Sequence, residues 1–128
     1  DAAILRAPAS EAIYAARARF YIERAYRVAE RGLPAADELL ARWPASGEGY
    51  LLRGQGLYLV GRPSEAAATL ARAVELMPYQ PAARLYLGLA LVALGQSQEG
   101  RAQLERAIDL DPAGPHGRQA RAALAEAP

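Results

Sequence analysis

The side chains able to do chemistry in this sequence are few and scattered. A single His116 stands between Pro115 and Gly117 at an expected helix boundary. It has no second His to complete a metal pair, and it is expected to be solvent-exposed or to cap a helix rather than to act as a base. Asp109 and Asp111 fall near a helix end without the ligand spacing of a cation loop and are expected to stay solvated. The absence of Cys removes disulfides, thiolate nucleophiles and Cys-ligated metals, and it fits either redox compartment. Gly47-Glu48-Gly49 and Gly54-Gln55-Gly56 share the Gly-x-Gly spacing of phosphate loops. Neither follows a strand and no Gly-Lys pair occurs, so both read as helix-boundary and helix-crossing features. Arg17, Arg24 and Arg31 recur at every seventh position. Glu23 and Glu30 lie beside that stripe, which makes it a solvated face rather than a nucleic-acid site. No catalytic residue, cofactor-binding residue or metal ligand emerges, and the chain reads as non-enzymatic.

Composition narrows the alternatives further. With 128 residues the chain fits one domain, and its net charge of +1 supplies no long-range field for nucleic acid or an anionic membrane. All fifteen basic residues are Arg, and Asn is absent, a bias expected of a GC-rich genome. The longest apolar run, residues 85–94, is about half of what a bilayer span requires, so no membrane span is expected. The chain does not begin with Met, and is expected to be a piece of a longer protein or a mature form freed of its leader.

The informative pattern is a period. Pro44, Pro78 and Pro112 are equally spaced, and the same interval joins Gly54 to Gly88, Leu57 to Leu91, Gly61 to Gly95, Leu70 to Leu104, Ala73 to Ala107 and Leu76 to Leu110. A fixed period of that length, with two helical patterns in each unit, marks units that must stack to cover their apolar faces. The residues Tyr50-x2-Arg53-Gly54-x2-Leu57, Ala66-x3-Leu70 and Pro78, followed by Arg84-x2-Leu87-Gly88-x2-Leu91, Gly100-x3-Leu104 and Pro112, resemble the tetratricopeptide repeat (TPR) pattern. The resemblance implies an all-α, right-handed α-α superhelix of helical hairpins in a single domain. It would comprise a degenerate N-terminal repeat over 10–46, full repeats over 47–80 and 81–114, and a capping helix over 115–128.

The elements follow in order. Residues 1–8 lack periodicity and read as a lead-in. Ser10 offers an N-cap, and no Gly or Pro interrupts 11–31, giving one long helix or two with a kink. Gly32-Leu33-Pro34 matches Gly61-Arg62-Pro63, so Gly32 is expected to adopt a left-handed cap. The next helix, over 34–42, reaches its closing Pro44 early by comparison with the later repeats. Helices are then expected over 49–60, with Ser46 as cap, and over 63–77, 82–94, 97–110 and 117–126. Gly54 and Gly88 are placed where the two helices of a hairpin cross, with Leu70 and Leu104 plugging the seam. Arg53 and Arg84, which depart from the family pattern, are expected to lay their methylenes over apolar surface; the alternative is a buried ion pair.

The resemblance also implies a binding surface. In the TPR family the first helices of successive repeats line a concave groove for an extended or helical peptide. By position, that groove holds Ile22 and Tyr26, then Leu51, Leu52, Gln55, Tyr58 and Leu59, then Leu85, Tyr86, Leu89 and Val92. The family branch that grips C-terminal carboxylates of chaperones uses Lys, Asn and Arg at several of these positions, where this chain has Leu51, Gln55, Leu85 and Leu89. The expectation is an apolar groove that takes a protein or peptide partner, and not the chaperone clamp. The alternative is homo-oligomerisation, with the groove filled by another copy or by the same chain.

Overall fold

A computed structural model describes residues 10–126; the lead-in expected over 1–8 lies outside them. The helices are α1 (Glu11–Ile22), a π-helical turn (Val28–Gly32), α2 (Leu33–Arg42), α3 (Gly47–Leu59), α4 (Pro63–Leu76), α5 (Pro81–Ala93), α6 (Ser97–Leu110) and α7 (Pro115–Glu126). No strand occurs among the described residues. The starts of α3, α5 and α7 are evenly spaced at the interval of the sequence period, and the same interval separates the starts of α4 and α6.

Sequence chemistry sets these boundaries. Ser10 Oγ accepts from the Ile13 N–H at 3.2 Å and Ser46 Oγ accepts from the Gly49 N–H at 3.0 Å, each satisfying a donor that the first turn leaves unpaired. Gly61 and Gly95 end α3 and α5 with φ of 80° and 82°. The left-handed turn carries the Arg62 N–H back to the Leu57 carbonyl and the Gln96 N–H back to the Leu91 carbonyl, both at 2.9 Å.

Helix contacts give the chain its curvature. Each of α1, α3, α5 and α7 touches the next, forming one continuous layer. Helices α2, α4 and α6 touch these first helices but not one another, so they splay outward and leave the first helices on the inner side of the bend. Within each hairpin the backbones are drawn together at a glycine. A Cβ on Gly54 would lie 2.6 Å from Leu70 Cδ2, and one on Gly88 would lie 2.8 Å from Leu104 Cγ and 2.9 Å from the Gly100 carbonyl oxygen. Leu70, Leu104, Ala73 and Ala107 are fully buried at these crossings. Burying a leucine contributes about 1.5–3 kcal/mol, which outweighs the ~1 kcal/mol that glycine costs in a helix.

Arg53 and Arg84 are half-buried and do more than cover apolar surface. Arg53 Nε donates to Asp37 Oδ1 at 2.8 Å and its Nη1 to Thr69 Oγ1 at 3.1 Å, linking α3 to both α2 and α4. Arg84 donates to the Pro78 carbonyl through Nε and Nη2 and to Gln103 Oε1 through Nη1, at 3.3, 3.2 and 3.1 Å.

The first hairpin differs from the expected continuous or kinked helix over 11–31. Helix α1 stops at Ile22, and Ala25 and Arg27 take left-handed φ values of 50° and 48°. The chain then re-enters a π-helical turn that runs straight into α2. Gly32 is right-handed, with φ −66°, and not the left-handed cap its neighbours suggested. Its missing side chain serves close packing instead, since a Cβ there would meet Ile22 Cγ1 at 2.9 Å. The break has a packing cause. In an unbroken helix, 3.6 residues per turn places Val28 about 120° round the axis from Ile22. With the break, Ile22, Val28 and Leu33 all converge on Gly56, where a Cβ would sit 2.8 Å from Leu33 Cδ2 and 3.4 Å from both Ile22 Cδ1 and Val28 Cγ1. Two left-handed residues cost about 1–2 kcal/mol each, and burying Val28 and Leu33 offsets that cost.

Candidate functional site

The inner layer encloses a hollow of about 580 Å³. Helix α3 contributes Glu48, Leu51, Leu52 and Gln55; Ala82 and Tyr86 come from α5, with Gln80 just before it. Arg19 and Glu23 close one end from α1 and the residue that caps it, and His116 and Gln119 close the other from α7. The repeat period generates the lining, because Glu48, Ala82 and His116 occupy the same position on successive rungs of the repeat.

The electrostatics of the hollow are set at the α1 end. Arg19 pairs with Glu48 and lies 3.6 Å from Glu23, so one guanidinium serves two carboxylates. At the centre, Gln55 Nε2 donates to the Tyr86 hydroxyl at 3.2 Å. The Tyr86 oxygen accepts that bond and keeps its own proton to donate. Burial, reinforced by Tyr58 and by the charge of Glu23, pushes the Tyr86 phenol above its usual value, against the lowering effect of Gln55. The ring of Tyr58 meets that of Tyr86 edge-on, with centroids 6.1 Å apart. At the α7 end the His116 N–H donates to Asp111 Oδ2 at 3.1 Å, and the same oxygen lies 3.6 Å from His116 Nδ1. Asp111, expected to be solvated, is therefore half-buried and ties the start of α7 to the end of α6.

The eleven residues expected to line the groove divide into three groups. Leu51, Leu52, Gln55 and Tyr86 meet in the hollow. Tyr58, Leu89 and Val92 are half-buried: Tyr58 packs on Tyr86, while Leu89 and Val92 join the cluster formed around Leu85 and Leu104. The remaining four offer the hollow nothing, and Leu59, at the end of α3, is exposed outside its lining. Ile22 and Leu85 are fully buried, the latter packed with Leu104, Ala107 and Ala120 beneath α7. Tyr26 lies beyond the helix break and stacks on Tyr21. The lining is consequently more polar than the apolar groove expected from sequence. Arg19, Glu23, Glu48, Gln80, Ala82, His116 and Gln119 were missed, although the period itself pointed to Ala82 and His116 once Glu48 was placed.

Other candidates resolve quietly. Arg17 bonds to Glu38 at 3.1 Å, and Arg24 sits 4.5 Å over the Phe20 ring. Arg31 shares a shallow depression between α1 and α2 with Glu30 and Glu38, so two of the three arginines of the basic stripe lie beside acids. Among the described residues no group of three His, Cys, Asp or Glu is placed to hold a metal ion, and no helix is long and apolar enough to cross a membrane.

Two family models, both described as tetratricopeptide repeat, match residues 57–125 and 9–81. No curated protein sequence matches the chain. Among solved structures, the second TPR domain of human RPAP3 in complex with the HSP70 peptide SGPTIEEVD superposes with a TM-score of 0.72 at 15% identity, covering 91% of this chain and 99% of that one. A thermophilic TPR protein of Thermus thermophilus gives 0.77 at 23% identity, covering 97% and 66%. The O-GlcNAc transferase of Thermobaculum terrenum gives 0.71 at 28% identity over 84% of this chain, which spans only 21% of that enzyme. The fold shared with them is an α-α superhelix of helical hairpins.

Proposed function

The chain belongs to the tetratricopeptide repeat family, and on that premise we propose that it is a protein-interaction scaffold whose inner hollow takes a peptide or helix of a partner protein. Within this reading the chain is organised as a degenerate repeat over 10–46, full repeats over 47–80 and 81–114, and a capping helix over 115–128. The observation that carries it is the hollow itself, framed by all four first helices and sized within the range that holds a bound ligand. Its chemistry suits a peptide. The amides of Gln55, Gln80 and Gln119 and the hydroxyl of Tyr86 match the donors and acceptors of a main chain, while Leu51, Leu52 and Ala82 supply apolar contact for its side chains. The human RPAP3 domain, which is bound to a peptide in its structure, supports the same use of the fold.

The test is selection of blocked hexapeptides from a random library by the intact chain, beside the variant Gln119→Trp. Gln119 is exposed at the rim, so a Trp there obstructs the hollow while leaving the core untouched. Peptides retained by the parent chain and released by the variant support the reading; retention that ignores the variant contradicts it.

A second reading, self-association, is favoured by one observation. Ile13 and Phe20, two turns apart on α1, are 62% and 47% exposed. Sedimentation that shifts to a dimer with rising concentration, and reverts in Phe20→Ser, supports it.

A further inference from the structure

We propose that the occupant of the hollow is a basic peptide, one that sets an Arg or Lys between Glu23 and the Tyr58–Tyr86 pair. This inference rests on the reading of the hollow as a peptide site and names the chemistry of its ligand. The charge count inside the hollow decides the sign. Glu23 and Glu48 share the single Arg19, leaving one carboxylate charge in excess against a chain whose overall charge is +1. Glu23 is the less committed of the two. Its side chain is 55% exposed and 3.6 Å from Arg19, whereas Glu48 is more buried and in closer contact. The field of Glu23 reaches the centre of the hollow, where it helps to raise the Tyr86 phenol.

The aromatic pair reinforces that preference. Tyr86 lines the same hollow as the excess carboxylate, with Tyr58 packed edge-on behind it, and a guanidinium or ammonium laid against the Tyr86 ring gains both a cation–π contact and an opposite charge. The far end supplies no competing cation, because His116 is held against Asp111. An acidic tail such as the SGPTIEEVD peptide of the human RPAP3 complex meets the opposite arrangement here: Arg19, the one guanidinium in the lining, is already occupied by two glutamates.

The experiment uses the same blocked hexapeptide library on the intact chain, on Glu23→Gln and on Gln119→Trp, with SGPTIEEVD as a separate probe. The expected result is that peptides released by Gln119→Trp carry Arg or Lys, bind about fivefold more weakly to Glu23→Gln, and weaken as salt rises. Glu23 is exposed and lies at a helix end, and circular dichroism checks that its variant remains folded. Peptides that depend on the open hollow yet show no basic preference, or retention of SGPTIEEVD, overturn the basic-peptide assignment and leave the peptide site standing. Retention indifferent to Gln119→Trp overturns the site itself. A dimer that Glu23→Gln dissociates would put a second copy in the hollow and also overturn the assignment.

Discussion

At Gly88 the absence of a side chain decides how close two helices come. Any Cβ there runs into the Gly100 backbone oxygen as well as Leu104, and backbone cannot swing aside as a side chain can. Gly88→Leu should therefore destabilise the chain by about 1–3 kcal/mol, seen as a lowered Tm. Leu104→Ala, which empties the facing site, should cost about 2–5 kcal/mol in a denaturant titration; an unchanged midpoint in either variant would contradict the crossing. Tyr86 makes a different prediction, in pH. Its phenol is raised in the folded chain above the usual value of 10.0, mainly by burial, so the unfolded chain loses this proton first. The stabilisation is fully present below pH 10 and is lost as pH rises through the higher folded value. Tm followed across that alkaline range should fall less steeply in Tyr86→Phe than in the parent, and parallel curves would refute the assignment.

Among the elements, the break after α1 is the feature that packing alone dictates. Ala25 at φ 50° sits where glycine is favoured, so Ala25→Gly should leave stability unchanged or raise it by up to ~1 kcal/mol. In a continuous helix the same change would cost about 1 kcal/mol, and a lowered Tm would restore that helix. The break also shows where sequence reasoning stopped. Helices α3 to α6 were legible because caps, glycines and apolar spacing all repeat with the same period, each signal confirming the others. The stretch over 23–32 carries no local breaker before Gly32, and only the convergence of Ile22, Val28 and Leu33 on Gly56 in another helix interrupts it. The hollow was half legible for a related reason. Periodicity identified the inner helices, but one turn along a helix separates Leu85 in the core from Ala82 in the lining, and that choice depends on α7 closing over Leu85. Ile22, the last residue of α1, is buried against Gly32 and Gly56 instead of facing the groove.

For the whole molecule, curvature and function are one question. First helices touch in series and second helices do not, so the bend places Glu23, Glu48, Gln55, Tyr86 and Gln119 around one space although they are spread over most of the chain. No single unit contains the site, and removing α7 would take away His116 and Gln119 while exposing Leu85 and Leu104. The most direct test of the inner hollow as the binding face is amide chemical-shift mapping of the intact chain, titrated with a peptide chosen from the blocked library. The account predicts shifts concentrated at Glu23, Gln55, Tyr86 and Gln119. Shifts gathered instead on the outer surfaces of α4 and α6, around Arg72 and Arg106 with the hollow unmoved, would contradict it.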